Sequence, residues 1–366
     1  MVSTKSITFA TTSRDFVATL NSRVNDYFKT HNISRHANTE MVVKTIFMFG
    51  LYVIPYLLIV TSTLTSGLWL VVLMIIMGFG LAGIGLSVMH DANHGAYSKK
   101  AWINTAIGYS INFVGATAFN WKMQHNVLHH TYTNIHEEDE DISPRGVLRL
   151  NPHSKWNFIH RYQFIYAWFL YGLMTLVWMV TKDFIRLARY QRNGLVKKHK
   201  ANLIREWAIL IGTKLFYAGY IIIIPLTVTS LVWWQVLLGF LIMHYLAGFL
   251  LAIIFQPAHV IEGTQFPLPD NNNSLDHNWA VHQLLTTTNF ANKCRWFSWY
   301  VGGLNFQIEH HLFPHICHVH YHKISNIVKN TTQEFGLPYQ SADTFIGALA
   351  GHMRQLKMLG RKPVVG

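Results

Sequence analysis

Four long apolar runs, at residues 45–62, 68–89, 208–228 and 231–255, organise the chain. Each is close to the roughly 20 apolar residues that cross a hydrocarbon core as a helix. The first two are joined by Thr-Ser-Thr-Leu-Thr-Ser-Gly and the last two by a tight turn around Thr227, Thr229 and Ser230, neither containing a charge. Basic residues lie on the other side of each pair. Before the first run comes a polar arm, residues 1–44, with Lys5, Arg14 and Arg23. After the second come Lys99 and Lys100. Lysine and arginine mark cytoplasmic loops. The pattern therefore predicts two helical hairpins with their turns outside and both chain termini in the cytoplasm.

Two further segments are apolar without being clean spans. Residues 102–121 are interrupted by Gly108, Asn112, Gly115 and Asn120, and read as interfacial or shallowly re-entrant. Residues 161–181 are long enough to cross, but Lys182, Arg186, Arg189, Arg192, Lys197, Lys198, Lys200 and Arg205 follow them. Such a block belongs in the cytoplasm. The segment is therefore expected to lie in the interface or to dip in and return. A short amphipathic helix is expected over 15–27, and a partly amphipathic region over 324–357. The fold expected is an all-α integral membrane protein, with one membrane-embedded domain over 45–366 whose tail from 263 onward stays in the cytoplasm.

Composition agrees with this. The chain has 366 residues, 51% hydrophobic and only 13% charged, against about 25% charged in a soluble domain. Its formal charge of +13 comes without any nucleic-acid motif, so anionic lipid and topology account for it and no nucleic-acid partner is expected. The two cysteines, Cys294 and Cys317, form no CxxC and are read as free thiols. No secretory signal precedes the first run.

Histidine changes the picture, with 22 copies. His90 and His94 stand four apart where the second run ends. His125 and His129 repeat that spacing, with His130 beside them. Gln307, His310 and His311 stand at i, i+3 and i+4. Residues at these spacings share one helix face. His259 lies at the mouth of the fourth run. Ionisable groups at a membrane boundary are seldom idle, and imidazole is a transition-metal ligand. A tetrahedral zinc needs four ligands, so eight histidines and a glutamine imply two metals. A set without cysteine favours iron. Asp139 and Asp141, in the acidic run after the second cluster, either orient ligand imidazoles by accepting their second N–H or belong to a solvated loop. Gln307 binds metal directly, through water, or only orients a neighbour.

The three boxes His-x3-His, His-x3-His-His and Gln-x2-His-His resemble those of the membrane fatty acid desaturase family. Gln-Ile-Glu-His-His at 307–311 is similar to the front-end group, which includes delta-5, delta-6 and delta-8 acyl desaturases. The runs at 255–262 and 282–288 resemble bacterial linoleoyl-CoA-type desaturases. The likeness spans residues 45–330. It implies a four-span fold, a di-iron centre in the cytoplasmic cap, and a kinked tunnel for the acyl chain. The implied reaction is O2-dependent introduction of a cis double bond into a fatty acyl-CoA or acyl-lipid, in a bacterial inner membrane. Many eukaryotic front-end members carry a fused cytochrome b5 domain marked by His-Pro-Gly-Gly. That motif is absent here, so a separate ferredoxin or cytochrome b5-type donor is implied. Two rival readings remain: a membrane di-iron hydroxylase, and a non-redox zinc receptor or metal transporter.

Overall fold

The computed structural model describes residues 7–63, 67–142 and 146–363. Leu64–Ser66, in the first uncharged turn, lie outside the described residues. Among the described residues, four helices are long and apolar enough to cross a membrane: Thr39–Val60, Gly67–Asn93, Leu203–Val228 and Trp233–His259. All four were expected, and most extend beyond their apolar runs because helical hydrogen bonding continues into polar flanks. Phe158–Gly172 and Met174–Arg192 form a pair bent by 60° at residue 173. The 102–121 region is broken into Ala101–Gly108, Ser110–Phe113 and Ala118–Lys122. Strand is confined, among the described residues, to two parallel pairs of two residues each, Thr8–Phe9 with Ser274–Leu275 and Asn289–Phe290 with Ser341–Ala342. The chain is an all-α integral membrane protein.

The chain divides into two compact units. One comprises residues up to 38, 124–167 and those from 253 onward; the other comprises 39–123 and 168–252.

The first unit is built on an amphipathic stripe. Helix Arg14–Thr30 buries Phe16, Leu20, Val24 and Phe28, four residues apart, so all fall on one face. They pack with Tyr321, Ile324 and Val328 of Tyr321–Glu334 and with Ile308 and Leu312 of Gln307–Leu312. The polar arm is thus part of the core that supports the third histidine box. Arg23 on its outer face makes a bidentate pair with Glu334, at 2.9 and 2.7 Å.

In the second unit, the hairpin of Thr39–Val60 and Gly67–Asn93 closes on Gly80. A Cβ there would meet the backbone of Leu51 and Tyr52 at 2.7–2.8 Å, so only glycine allows the two helices to approach so closely. The unit also buries an ion pair: Lys214 Nζ lies 2.7 Å from Asp183 Oδ2 and donates to Gly115 O at 2.6 Å. Asn120 Nδ2 and Trp178 Nε1 donate to Asp183 Oδ1 at 3.1 and 3.0 Å. The pair ties the Met174–Arg192 segment to the third span by fully hydrogen-bonded charges, which makes burial tolerable. His244, in the fourth span, is held by Tyr217 at 2.7 Å and Thr175 at 3.1 Å.

Candidate metal centre

The second histidine box does not wind as the plain α-helix its spacing predicts. Residues Met123–His129 form a π-helix, followed by α-helical His130–Tyr132. The wider turn brings positions i+4 and i+5 onto one face. His125 accordingly meets both successors, with ring centroids 5.3 Å from His129 and 4.8 Å from His130. The third box is helical as expected, in the short helix Gln307–Leu312.

Within the first unit these boxes converge. One ring nitrogen from each of His129, His259 and His311 lies within 4.8 Å of the others, and all three side chains are buried. His129 reaches this point from the π-helix, His259 from the end of the fourth span, just past Pro257, and His311 from the third box. Each Nδ1 faces an oxygen. His129 Nδ1 donates to Asp139 Oδ2 at 3.0 Å, His311 Nδ1 to Gln283 Oε1 at 2.8 Å, and His259 Nδ1 to Thr286 O at 3.3 Å. A ring that donates from Nδ1 presents a lone pair at Nε2. The Nε2 atoms of His129 and His259 are buried and make no hydrogen bond of ordinary length, nor does Gln307 Oε1; Gln307 bears on the His259 ring. Buried polar atoms are ordinarily satisfied. Incompletely satisfied acceptors converging from three elements fit a metal ion.

A second convergence adjoins it. His130 Nε2 lies 3.3 Å from His125 Nε2 and 3.0 Å from His310 Nε2. His130 also stacks on His311, with centroids 4.3 Å apart. His310 Nδ1 is 3.3 Å from the Tyr321 hydroxyl. In the second unit, His90 and His94 lie together with centroids 4.8 Å apart, both edge-on to Trp121.

Asp139 is fully buried and its carboxylate accepts three hydrogen bonds. Oδ2 accepts from His129 and from the Asn134 amide at 3.0 Å, and Oδ1 from the Asp141 amide at 2.9 Å. Burial acts to raise its pKa, but His129 and these amides hold it below the usual carboxylate range. Burial likewise acts to lower His129, and the Asp139 charge lifts it above the ordinary histidine value. Asp141 sits farther out, with Oδ2 3.9 Å from His129 Nδ1 and Oδ1 bonded to Gln124.

The supports of the third box carry no metal-ligand signature in the sequence. Asn289 Oδ1 accepts from the Ile308 amide at 2.9 Å, capping the helix, while its Nδ2 donates to Glu309 Oε2 at 2.9 Å. The Tyr339 hydroxyl donates to Glu309 Oε1 at 2.9 Å. Burial pushes the Glu309 carboxyl up to about 7, against the lowering effect of these two donors. Glu309 faces away from its histidine neighbours and pins their helix. The Arg149 guanidinium is spent on backbone, donating to the carbonyls of Leu359, Ser154 and Pro152. Cys294 is exposed, Cys317 buried, and both are free thiols.

The family model described as fatty acid desaturase matches residues 66–343. The chain belongs to the fatty acid desaturase family. It is 36% identical over 98% of its length to an sn-1 linoleoyl-lipid 6-desaturase of Arthrospira platensis, covering 96% of that protein. A Synechocystis desaturase of the same name is also 36% identical, with 96% of this chain and 97% of the relative covered. An acyl-lipid (8-3)-desaturase of Physcomitrium patens is 37% identical over 95% of this chain but only 72% of its own length. This desaturase is therefore a membrane oxidoreductase of fatty acid desaturation, and its buried histidine cluster is the region suited to the metal that such chemistry needs.

Proposed function

We propose that this desaturase introduces a cis double bond into an acyl-lipid on the carboxyl side of an existing one, with delta-6-like regiochemistry. The observation that carries this is the near full-length similarity to two sn-1 linoleoyl-lipid 6-desaturases, joined to a buried convergence of imidazoles. In the balanced reaction two hydrogens leave adjacent methylenes. O2 takes up four electrons, two from the acyl chain and two from a donor, and with two added protons becomes two waters.

Two irons are the proposed cofactor, and iron supplies the O2 chemistry that breaking unactivated C–H bonds demands. His129, His259 and His311 would hold one ion, with Gln307 beside them. His125, His130 and His310 would contribute to the other, and His90 and His94 join the ligand set on their sequence spacing. Asp139 fixes the His129 tautomer, and Asp141 supports that arrangement through its backbone amide, which donates to Asp139 Oδ1. Adjacent methylenes are chemically alike, so the protein's task is to position the chain and keep water out.

The basic block between Lys182 and Arg205 supports a cytoplasmic active site in a bacterial inner membrane. It also supports a re-entrant path for the bent 158–192 pair. A separate ferredoxin or cytochrome b5-type donor is proposed, steered by the net positive charge. Donor-dependent turnover should then fall as ionic strength rises, and indifference to salt would reject steering. The decisive assay is expression in a host supplied with linoleate, followed by mass spectrometry and double-bond location. A product two hydrogens lighter, with the new bond at the sixth carbon, is expected. Added oxygen would indicate a hydroxylase instead. His310→Ala should abolish product while leaving membrane insertion intact.

A further inference from the structure

The run His282–Thr288 belongs to no histidine box, yet it contributes the residue on which two boxes meet. Gln283 lies on the helix Trp279–Thr286 and is fully buried. Its Nε2 donates to the His130 carbonyl at 3.3 Å, and its Oε1 accepts from His311 Nδ1 at 2.8 Å. Thr133 Oγ1 lies 2.9 Å from the same Oε1. One turn earlier on the helix, Trp279 Nε1 donates to the same His130 carbonyl at 2.9 Å. Two donors from one helix thus converge on one backbone oxygen of the second box.

The direction of the amide has a chemical consequence. Rotating it by a half turn would set its oxygen against the His130 carbonyl, two acceptors face to face. It would also set the NH2 against His311 Nδ1, obliging that nitrogen to accept and moving the ring proton to Nε2. A protonated Nε2 cannot bind a metal. The His130 carbonyl therefore selects the amide orientation, and the amide selects the His311 tautomer. A neutral amide suits this buried position because it offers one donor and one acceptor without a charge to desolvate.

We propose that Gln283 is a positioning residue that couples the backbone of His130 to the ring of His311, holding His311 in the tautomer whose Nε2 lone pair binds metal. The inference rests on the metal-centre reading above. Ligand-orienting partners of this kind are worth about 10–100-fold in metal affinity.

The test compares wild type, Gln283→Met and Gln283→Glu, purified folded in one detergent, by iron content, Mössbauer spectrum and midpoint potential. Methionine keeps the length and removes both hydrogen bonds; glutamate keeps the acceptor toward His311 and gives up only the longer bond to the His130 carbonyl, which Trp279 Nε1 still satisfies. Gln283→Met should lose about half of the iron, with one Mössbauer component lost and the other kept, the loss expected at one of two sites when affinity drops by that factor. Gln283→Glu should retain iron at a more negative potential, because a carboxylate partner raises imidazole basicity. Full iron with an unchanged spectrum in the methionine protein, or equal loss in both variants, would overturn the proposal. If the methionine protein does not fold, glutamate decides alone: an unchanged potential overturns the proposal. A wild type that takes up no iron would instead reject the di-iron reading. The same variants would then be titrated with Co2+, and equal uptake by Gln283→Met would overturn the Gln283 role.

Discussion

His129 and Asp139 form a fully buried pair in which the Nδ1–H of the imidazole donates to Oδ2 of the carboxylate at 3.0 Å. Ten residues apart in sequence, they are brought together by the turn through Asn134, whose φ of 61° lies in the left-handed region that asparagine tolerates better than most residues. The Asn134 side chain bonds the His259 carbonyl at 2.9 Å, so this turn also locates a second ligand candidate.

Asp139→Ala removes the acceptor that orients His129 and leaves two backbone amides unsatisfied. Metal affinity should fall by about 10–100-fold. Metal per chain after dialysis against a weak chelator measures this; wild-type retention would sink the orienting role. Asp141→Ala, whose carboxylate is farther from the ring, should have the smaller effect.

Asn289→Ala uncaps the third-box helix and strips a donor from Glu309. Each buried group left unpaired costs about 1–3 kcal/mol. The variant should melt well below wild type in detergent, and Tyr339→Phe, which removes only one donor, should melt between the two. Equal melting of all three proteins would reject the network as a support.

Lys214→Met leaves Asp183 buried without its counter-charge, at a cost of about 3–5 kcal/mol. The double variant Lys214→Met/Asp183→Asn removes both charges and should recover much of the loss. Thermal unfolding of the single and double variants closes the cycle. No recovery would show that the pair is not coupled.

His352 supplies a pH test on a histidine outside the candidate ligand set. It is buried, donates from Nδ1 to Val260 O at 2.6 Å, and burial pushes it down to about 4. The unfolded chain takes up a proton near the ordinary 6.5, whereas the folded chain does so only near 4. The neutral ring's contribution is thus full above 6.5 and is lost as pH falls toward 4, amounting to about 3 kcal/mol at most. His282, also pushed to about 4 by burial, adds in the same direction. His352→Gln, which keeps a donor, should flatten the fall in melting temperature between pH 6.5 and 4. An unchanged slope would exclude His352 as a source.

The sequence by itself determined the membrane class, the four spans and the three histidine boxes. Each is a local property: a run of apolar residues must satisfy its backbone as a helix in lipid, and the spacing of imidazoles is written within one turn. Similarity to the desaturases was legible in the same boxes. Tertiary structure decided what no local pattern records. The π-helical winding of Met123–His129 sets both His129 and His130 against His125, where α-helical spacing alone would pair His125 with His129. The polar arm proves to be core, because its four-residue stripe acquires meaning only against Tyr321–Glu334. Gln283, Asn289 and Tyr339 support ligand candidates from far along the chain, through hydrogen bonds that exist only once the helices have packed. Which nitrogen of each imidazole carries the proton is likewise a tertiary fact, since it depends on the oxygen that packing places opposite Nδ1.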